Sequence, residues 1–144
     1  QDTVTGARGM EVTMDEKLSE IDDQCDLVVL PGGIPGVPNL KTNSKVQAMV
    51  KAQNDRGGYV AAICAGPTAL GAFGVLADKN ATCYPGCEDQ LMAKRHSTEP
   101  VVVDGNMITS RGVGTAIEFA LKLVEILIDR QTADDLAEKI VYKR

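Results

Sequence analysis

The residues with the clearest potential for chemistry are 63–67 (ICAGP), where an apolar run ends at Cys64. The apolar run predicts a buried strand, and Pro67 suits the first turn of a following helix. A residue at such a strand-to-helix turn lies at the carboxyl end of the sheet, where α/β folds place their ligands. The small residues Ala65 and Gly66 allow a strained turn and leave room for a substrate. This arrangement makes Cys64 a candidate nucleophile.

The helix predicted after Cys64 also has an electrostatic consequence. Unpaired N–H groups at its start favour an anion, so we expect Cys64 to be a thiolate more often than a free cysteine is. A second interpretation competes with this one, because a lone cysteine in an apolar run is usually a small buried hydrophobic residue. Spacing alone leaves both interpretations open.

A second glycine-rich turn, Pro31-Gly32-Gly33, follows another apolar run. Glycines let backbone N–H groups approach a ligand closely. If the two strands are neighbours, the amides of Gly32 and Gly33 would face Cys64 and, with the Ala65 amide, form an oxyanion hole. A tight turn explains the two glycines equally well. The sequence contains no Walker A, G-x-G-x-x-G or H-E-x-x-H pattern.

The other cysteines and the single histidine indicate no metal site. Cys83 and Cys87 form the only close pair, and neither the lone His96 nor the distant Cys25 supplies a second ligand pair. We interpret Cys25 and Cys83 as structural. His96 falls in a polar stretch, AKRHSTE, and is interpreted as a solvated surface residue, which leaves no histidine general base.

Composition excludes several classes of protein. Fifteen Lys and Arg against twenty Asp and Glu give a net charge of −5, and the chain has five Tyr and Phe and no Trp, so nucleic-acid binding is not expected. No apolar run reaches the ~18 residues of a membrane span. Without a signal peptide, the expected location is the cytoplasm. The first residue is Gln1, from which we expect a removed segment or a fragment.

Apolar runs alternate with helical patterns along the chain, which predicts an α/β fold with a mainly parallel sheet in a single domain, residues 1–144. Expected strands are 11–13, 27–30 and 59–63, the last two buried on both faces, together with 81–84 and a hairpin of 101–103 and 107–109 around Asp104-Gly105. Expected helices are 44–55, capped by Asn43 or Ser44, then 68–73, 88–94, a mostly buried 115–129, and 134–140; residues 15–21 are expected to be a brief helix or loop.

Three motifs resemble the ThiJ/PfpI superfamily, and within it the DJ-1 branch. They are DLVVLPGG (26–33), AAICAGPTAL (61–70) and TSRGVGTAIEFAL (109–121). Their order and spacing match as well, and the resemblance covers nearly the whole chain.

The resemblance implies a flavodoxin-like sandwich, a homodimer, and a reactive cysteine at Cys64 that works without a metal or organic cofactor. It implies an oxyanion site made by Gly32, Gly33 and Ala65. It also places Arg8 near the dimer interface and the mouth of the site, and it places Tyr84 where some members have histidine.

Two departures from the family pattern matter for function. The protease-like branch has histidine directly after the nucleophile, where this chain has Ala65, so peptidase activity is not expected. The family's first strand, loop and helix, which carry a glutamate that contacts the cysteine, have no counterpart here. We therefore expect a complementing N-terminal segment on a second polypeptide to complete the sheet.

The leading interpretation of function is a cysteine-dependent glyoxalase or deglycase that acts on small dicarbonyls or their adducts. The alternative is an oxidative-stress sensor or chaperone that uses oxidation of Cys64. A role in thiazole biosynthesis rests only on a family name and ranks last.

Overall fold

The structure is a computed structural model that describes residues 2–22 and 24–144. The strands are β1 (Thr3–Thr5), β2 (Glu11–Thr13), β3 (Leu27–Leu30), β4 (Tyr59–Ile63), β5 (Asn80–Ala81), β6 (Arg95–His96), β7 (Val101–Asp104) and β8 (Met107–Ser110). The α-helices are α1 (Gly36–Thr42), α2 (Ser44–Asp55), α3 (Pro67–Ala72), α4 (Ala116–Leu127) and α5 (Arg130–Lys139). Short 3₁₀ turns cover Glu88–Gln90 and Val113–Thr115.

The central sheet has the strand order β3-β4-β8-β7, with β3, β4 and β8 parallel and β7 antiparallel. Leu30 pairs with Ala62 and Ile63 pairs with Ser110, so the carboxyl ends of the three parallel strands lie at one edge of the sheet. That edge is where α/β folds bind ligands. The flavodoxin-like α/β architecture with a mostly parallel sheet is therefore confirmed.

Both faces of β4 are covered, and alternate residues of this strand enter different cores. Val60 and Ala62 join the larger core with residues of α1, α2 and α3, whereas Ala61 packs with Ile108 of β8 and Phe119 of α4. This alternation follows from the period of two in a strand. The expected burial of β4 on both faces is confirmed.

Several local predictions are confirmed. Helix α2 begins where the Asn43 side chain accepts hydrogen bonds from the backbone N–H groups of Lys45 and Val46, and it ends before Gly57. The hairpin around Asp104-Gly105 is present, with Asp104 opposite Met107. Each of these features is determined by residues that are close together in the sequence, which is why it could be predicted.

Two segments differ from the prediction because distant groups hold their backbone. The strand expected over 81–84 stops at Ala81, because the Thr82 N–H bonds the Thr109 side chain and the Tyr84 N–H bonds Cys64. The helix expected over 88–94 is only the 3₁₀ turn Glu88–Gln90. Met92 has a φ of +50°, and the Lys94 N–H donates to the carbonyl groups of Leu76 and Lys79, so the helix cannot continue.

Burial also departs from the prediction at two elements. Strand β3 is not covered on both faces, because it lies at the edge of the central sheet and Val29 is 42% exposed. Helix α4 is not mostly buried. Only Phe119 and Leu121 are buried, since α4 contacts the sheet along one face and α5 along part of another.

Three elements were predicted with different extents or not at all. Strand β1, which pairs with β2 in a two-stranded hairpin, was not predicted, and neither was helix α1, which precedes α2. Helix α5 begins four residues earlier than expected, because the Asp129 side chain caps it by accepting from the Thr132 N–H at 2.7 Å. Residues 15–21 form turns. In the part of the chain that is described, no helix is long and apolar enough to cross a membrane.

Candidate active site

Cys64 follows β4 directly and has a backbone conformation that its residue type rarely adopts. Its φ is +65°, in the left-handed region. A non-glycine residue held there costs roughly 1–3 kcal/mol and persists only when its surroundings fix it. Two distant segments do so: the Cys64 N–H donates to the Ser110 carbonyl at 3.0 Å, and the Cys64 carbonyl accepts from the Tyr84 N–H at 2.8 Å. The side chain is partly exposed at the edge of the sheet.

The glycine-rich turn after β3 lies against Cys64. A Cβ atom on Gly32 would lie 2.6 Å from the Cys64 Cβ and 3.2 Å from its Sγ, so only glycine fits there. Gly33 has a φ of +95°, which favours glycine for conformational reasons. The pairing of β3 with β4 brings these two turns together.

The backbone amides around Cys64 are available as donors. Within residues 2–22 and 24–144, the N–H groups of Gly32, Gly33 and Ala65 make no hydrogen bond. Buried amides are nearly always paired, and the Ala65 side chain is buried. Unpaired amides beside a partly exposed thiol can stabilise a negatively charged oxygen on a group bound to that thiol.

Tyr84 is a further residue that contacts Cys64. Besides its backbone bond to Cys64, its ring packs over Gly112, where an added Cβ would lie 3.4 Å from the ring. The side chain is 51% exposed. Tyr84 is therefore joined to Cys64 through its backbone, while its half-exposed ring lies against Gly112.

Arg8 is not brought to this group by any contact in the structure. It lies in the exposed turn between β1 and β2. Among the described residues it makes no hydrogen bond or ion pair with the segments around Cys64. Its expected place near a dimer interface stays a prediction.

The remaining cysteines differ in environment. Cys83 is buried, and burial first, then the negative charges of Glu88 and Cys87, raises its pKa from 9.0 to about 11. Cys87 is half-buried and closes a turn by donating its N–H to the Tyr84 carbonyl at 3.0 Å. Cys25 is exposed rather than part of the core, and its thiol donates to Gln53. The burial of Cys83 fits a structural role.

The prediction that His96 is a solvated surface residue is wrong. His96 lies in β6, which pairs with β5, and is half-buried; its Nε2 is buried without a hydrogen-bond partner among the described residues. No group of three or more His, Cys, Asp or Glu side chains in the described ranges could hold a metal ion.

Ser110 is a contributor to the site that the sequence analysis did not identify. It is fully buried at the end of β8, and its carbonyl accepts the Cys64 N–H. The motif TSRGVG includes Ser110, but its contact with Cys64, 46 positions away, cannot be predicted from the residues around either position.

Comparison with known proteins defines the class of protein to which this fold and site belong. The model of the DJ-1/PfpI family matches residues 1–126. The chain belongs to the DJ-1/PfpI family.

Relatives and solved structures support the DJ-1 branch. The chain is 40% identical over 148 residues to the Parkinson disease protein 7 homolog of Danio rerio, covering 99% of this chain and 78% of the relative. It is 34% identical over 137 residues to the glutathione-independent glyoxalase DJR-1.2 of Caenorhabditis elegans, covering 93% and 73%.

Two solved structures superpose closely on nearly the whole chain. Toxoplasma gondii DJ-1, in a structure described as oxidized, gives a TM-score of 0.94 at 34% identity, covering 99% of this chain and 79% of that one. Drosophila melanogaster DJ-1beta gives 0.93 at 37% identity, covering 99% and 78%. These comparisons support a DJ-1-type function.

Proposed function

We propose that this protein is a cofactor-free enzyme in which Cys64 attacks a small dicarbonyl such as methylglyoxal, as in a glyoxalase, or the adduct of such a compound, as in a deglycase. The observation that carries the proposal is the combination at Cys64. A cysteine is held in a left-handed conformation at the carboxyl end of a central strand, beside the unpaired amides of Gly32, Gly33 and Ala65. A glyoxalase among the relatives supports the same chemistry.

The reaction proceeds through a covalent intermediate. The Cys64 sulfur forms a bond to the aldehyde carbon, and the carbonyl π electrons move to oxygen, where the amides of Gly32, Gly33 and Ala65 stabilise the negative charge. A proton then moves from this carbon to its neighbour, which converts the hemithioacetal into a thioester of a 2-hydroxy acid. Water hydrolyses the thioester, releasing the 2-hydroxy acid and restoring the thiol.

The proton transfer needs a general base. We propose that the base is a carboxylate supplied by the complementing segment expected from the family resemblance. Ala65 follows the nucleophile directly, so no histidine is placed there for peptide hydrolysis, and we do not propose protease activity.

A matched pair of cysteine variants tests the role of Cys64. Initial rates of methylglyoxal loss are measured for the wild type, Cys64→Ser and Cys87→Ser. We expect Cys64→Ser to lose at least about 100-fold in rate, since hydroxyl is a far weaker nucleophile than thiol at neutral pH. Cys87→Ser should stay near the wild-type rate, because the hydrogen bond that links Cys87 to Tyr84 is made by the backbone N–H, which serine keeps. A Cys64→Ser protein with wild-type activity would contradict the assignment.

The second candidate function is sensing of oxidants through Cys64, with chaperone activity as a further possibility of the same kind. One observation favours it: the solved structure with a TM-score of 0.94 is described as oxidized. In this chemistry a peroxide oxidises the Cys64 thiolate to sulfenate and is itself reduced to water, and a second equivalent gives sulfinate. The same three amides would stabilise the sulfinate oxygens. A sensor reacts about once per molecule, whereas an enzyme turns over many times.

The open edge of β3 supports the proposal of a complementing segment. Beside this strand lies a groove of about 740 Å³, lined by apolar side chains that include Leu18, Leu27 and Val29, with Glu16, Glu20 and Asp22 among its acidic residues. An extended apolar segment that carries Lys or Arg would pair with the strand edge and match this charge.

We also propose a homodimer. The β1–β2 hairpin exposes the apolar side chains of Val4, Met10 and Val12, which a second copy could cover. Native mass spectrometry of the purified protein tests both partners. We expect two copies of this chain together with the complementing segment. A folded dimer of this chain alone would contradict the proposal of a complementing segment, and a folded lone monomer would contradict both proposals.

The cytoplasmic location expected from the sequence stays a prediction.

A further inference from the structure

Two hydroxyl groups link three segments next to Cys64. The Ser110 Oγ lies 2.7 Å from the Pro100 carbonyl oxygen and 2.7 Å from the Thr115 Oγ1. Thr115 Oγ1 in turn lies 3.1 Å from the Gly112 backbone nitrogen. The segment before β7, the end of β8 and the turn before α4 are thereby connected through side chains.

Two hydroxyl protons serve three contacts in this group. Each hydroxyl has one proton to donate and lone pairs to accept. The Ser110 hydroxyl donates to the Pro100 carbonyl, and the Thr115 hydroxyl lies 3.0 Å from the Gly112 carbonyl oxygen as well as 2.7 Å from the Ser110 Oγ. Thr115 also accepts from the Gly112 N–H. Thr115 therefore stands between Gly112 and Ser110 and holds both of them through one hydroxyl group.

This chain of hydrogen bonds acts on the backbone of Ser110, which is fully buried. Ser110 is the last residue of β8, where the register with Ile63 ends, so the sheet itself no longer fixes the chain beyond it. Its carbonyl oxygen is the acceptor for the Cys64 N–H at 3.0 Å. The position of that oxygen helps to fix the left-handed conformation of Cys64.

We infer that Ser110 and Thr115 are positioning residues for Cys64, which act through the Ser110 carbonyl and do not touch the substrate. The inference rests on the proposed role of Cys64 as nucleophile. It adds two residues, outside the glycine-rich turn and the cysteine turn, that determine how the thiol is presented.

The test compares side chains that differ only in the hydroxyl. Thr115→Val keeps the shape and removes the middle of the chain of hydrogen bonds, whereas Thr115→Ser keeps the hydroxyl. Thr42→Val is the matched control, because the Thr42 hydroxyl bonds carbonyl groups within α1. Thr115→Ala takes the place of Thr115→Val if the latter does not fold.

The readout is the rate of alkylation of Cys64 by iodoacetamide as a function of pH, followed by peptide mass spectrometry. The exposed Cys25 in the same sample serves as an internal reference. We expect Thr115→Val to change the Cys64 rate by roughly tenfold, as for one lost hydrogen bond, and to shift its pH profile. The Cys25 rate, Thr115→Ser and Thr42→Val should all match the wild type.

Two results would overturn the inference. One is an unchanged Cys64 rate and pH profile in a folded Thr115→Val protein. The other is an equal change at Cys25, which would mean that the whole structure has loosened. Alkylation does not require turnover, so a wild-type protein that fails to consume methylglyoxal would contradict the proposed enzyme while leaving this measurement informative.

Discussion

The Cα of Gly32 approaches Cys64 so closely that a Cβ atom on Gly32 would lie 2.6 Å from the Cys64 Cβ. The same atom would lie 3.1 Å from the Ile63 carbonyl oxygen, so the backbone as well as the side chain blocks it. Gly32 and Cys64 follow neighbouring parallel strands, β3 and β4, and their contact sets how near the unpaired amides come to the thiol.

We predict that Gly32→Ala displaces Cys64 and lowers dicarbonyl turnover by about 100-fold or more, the scale of a lost oxyanion interaction. Gly36→Ala is the control, because a Cβ at Gly36 meets nothing within 4 Å and the residue needs no positive φ. Initial rates and circular dichroism of both variants check the prediction. Wild-type activity in Gly32→Ala would remove this turn from the site.

The turn itself depends on a second close contact, at Gly66. A Cβ there would lie 2.7 Å from the Leu30 carbonyl oxygen and 2.9 Å from that of Ile63, and backbone atoms cannot move aside easily. We predict that Gly66→Ala lowers the free energy of unfolding by roughly 1–3 kcal/mol, as overpacking does. Urea denaturation measures the change. Gly114→Ala, where the added atom meets open space, should unfold near the wild-type midpoint; an equally stable Gly66→Ala would show that this contact relaxes.

Cys83 predicts a dependence of stability on alkaline pH. Its pKa is about 11 in the folded protein, against 9.0 for an unperturbed thiol. Between these values the unfolded state binds fewer protons than the folded state, so the free energy of unfolding falls as pH rises from about 9 to about 11. Urea denaturation across this range should give a smaller decrease in Cys83→Ala than in the wild type. Parallel curves for the two proteins would contradict the assignment of this titration to Cys83.

The sequence allowed prediction of elements that local residues determine. Asn43 has a side chain that caps α2, the apolar run over 59–63 gives a strand buried on both faces, and Asp104-Gly105 gives a hairpin. The chemistry at Cys64 was recognisable for the same reason, since strand, cysteine, glycine and proline follow one another. Helix α1 escaped prediction because Gly36 and Pro38 resemble a loop, although proline is tolerated in the first turn of a helix.

The features that could not be predicted from the sequence are determined by contacts between residues that are far apart in the chain. Tyr84 leaves the strand pattern because its N–H bonds the Cys64 carbonyl, 20 positions earlier. His96 lies in a polar stretch, but it belongs to β6, which pairs with the distant strand β5, and its Nε2 is buried. The hydroxyl chain of Ser110 and Thr115 likewise needs the positions of β7, β8 and the following turn together. Periodicity and composition contain none of this information.

The measurement that tests the central claim most directly counts the equivalents of product formed per chain. Purified protein is incubated with a large excess of methylglyoxal, and the 2-hydroxy acid formed and the mass of the Cys64 peptide are followed in the same sample. We predict many equivalents of product per chain with Cys64 unmodified when substrate is exhausted. Consumption that stops at about one equivalent, with Cys64 left as a stable adduct, would contradict the proposed enzyme and favour a protein whose cysteine reacts once.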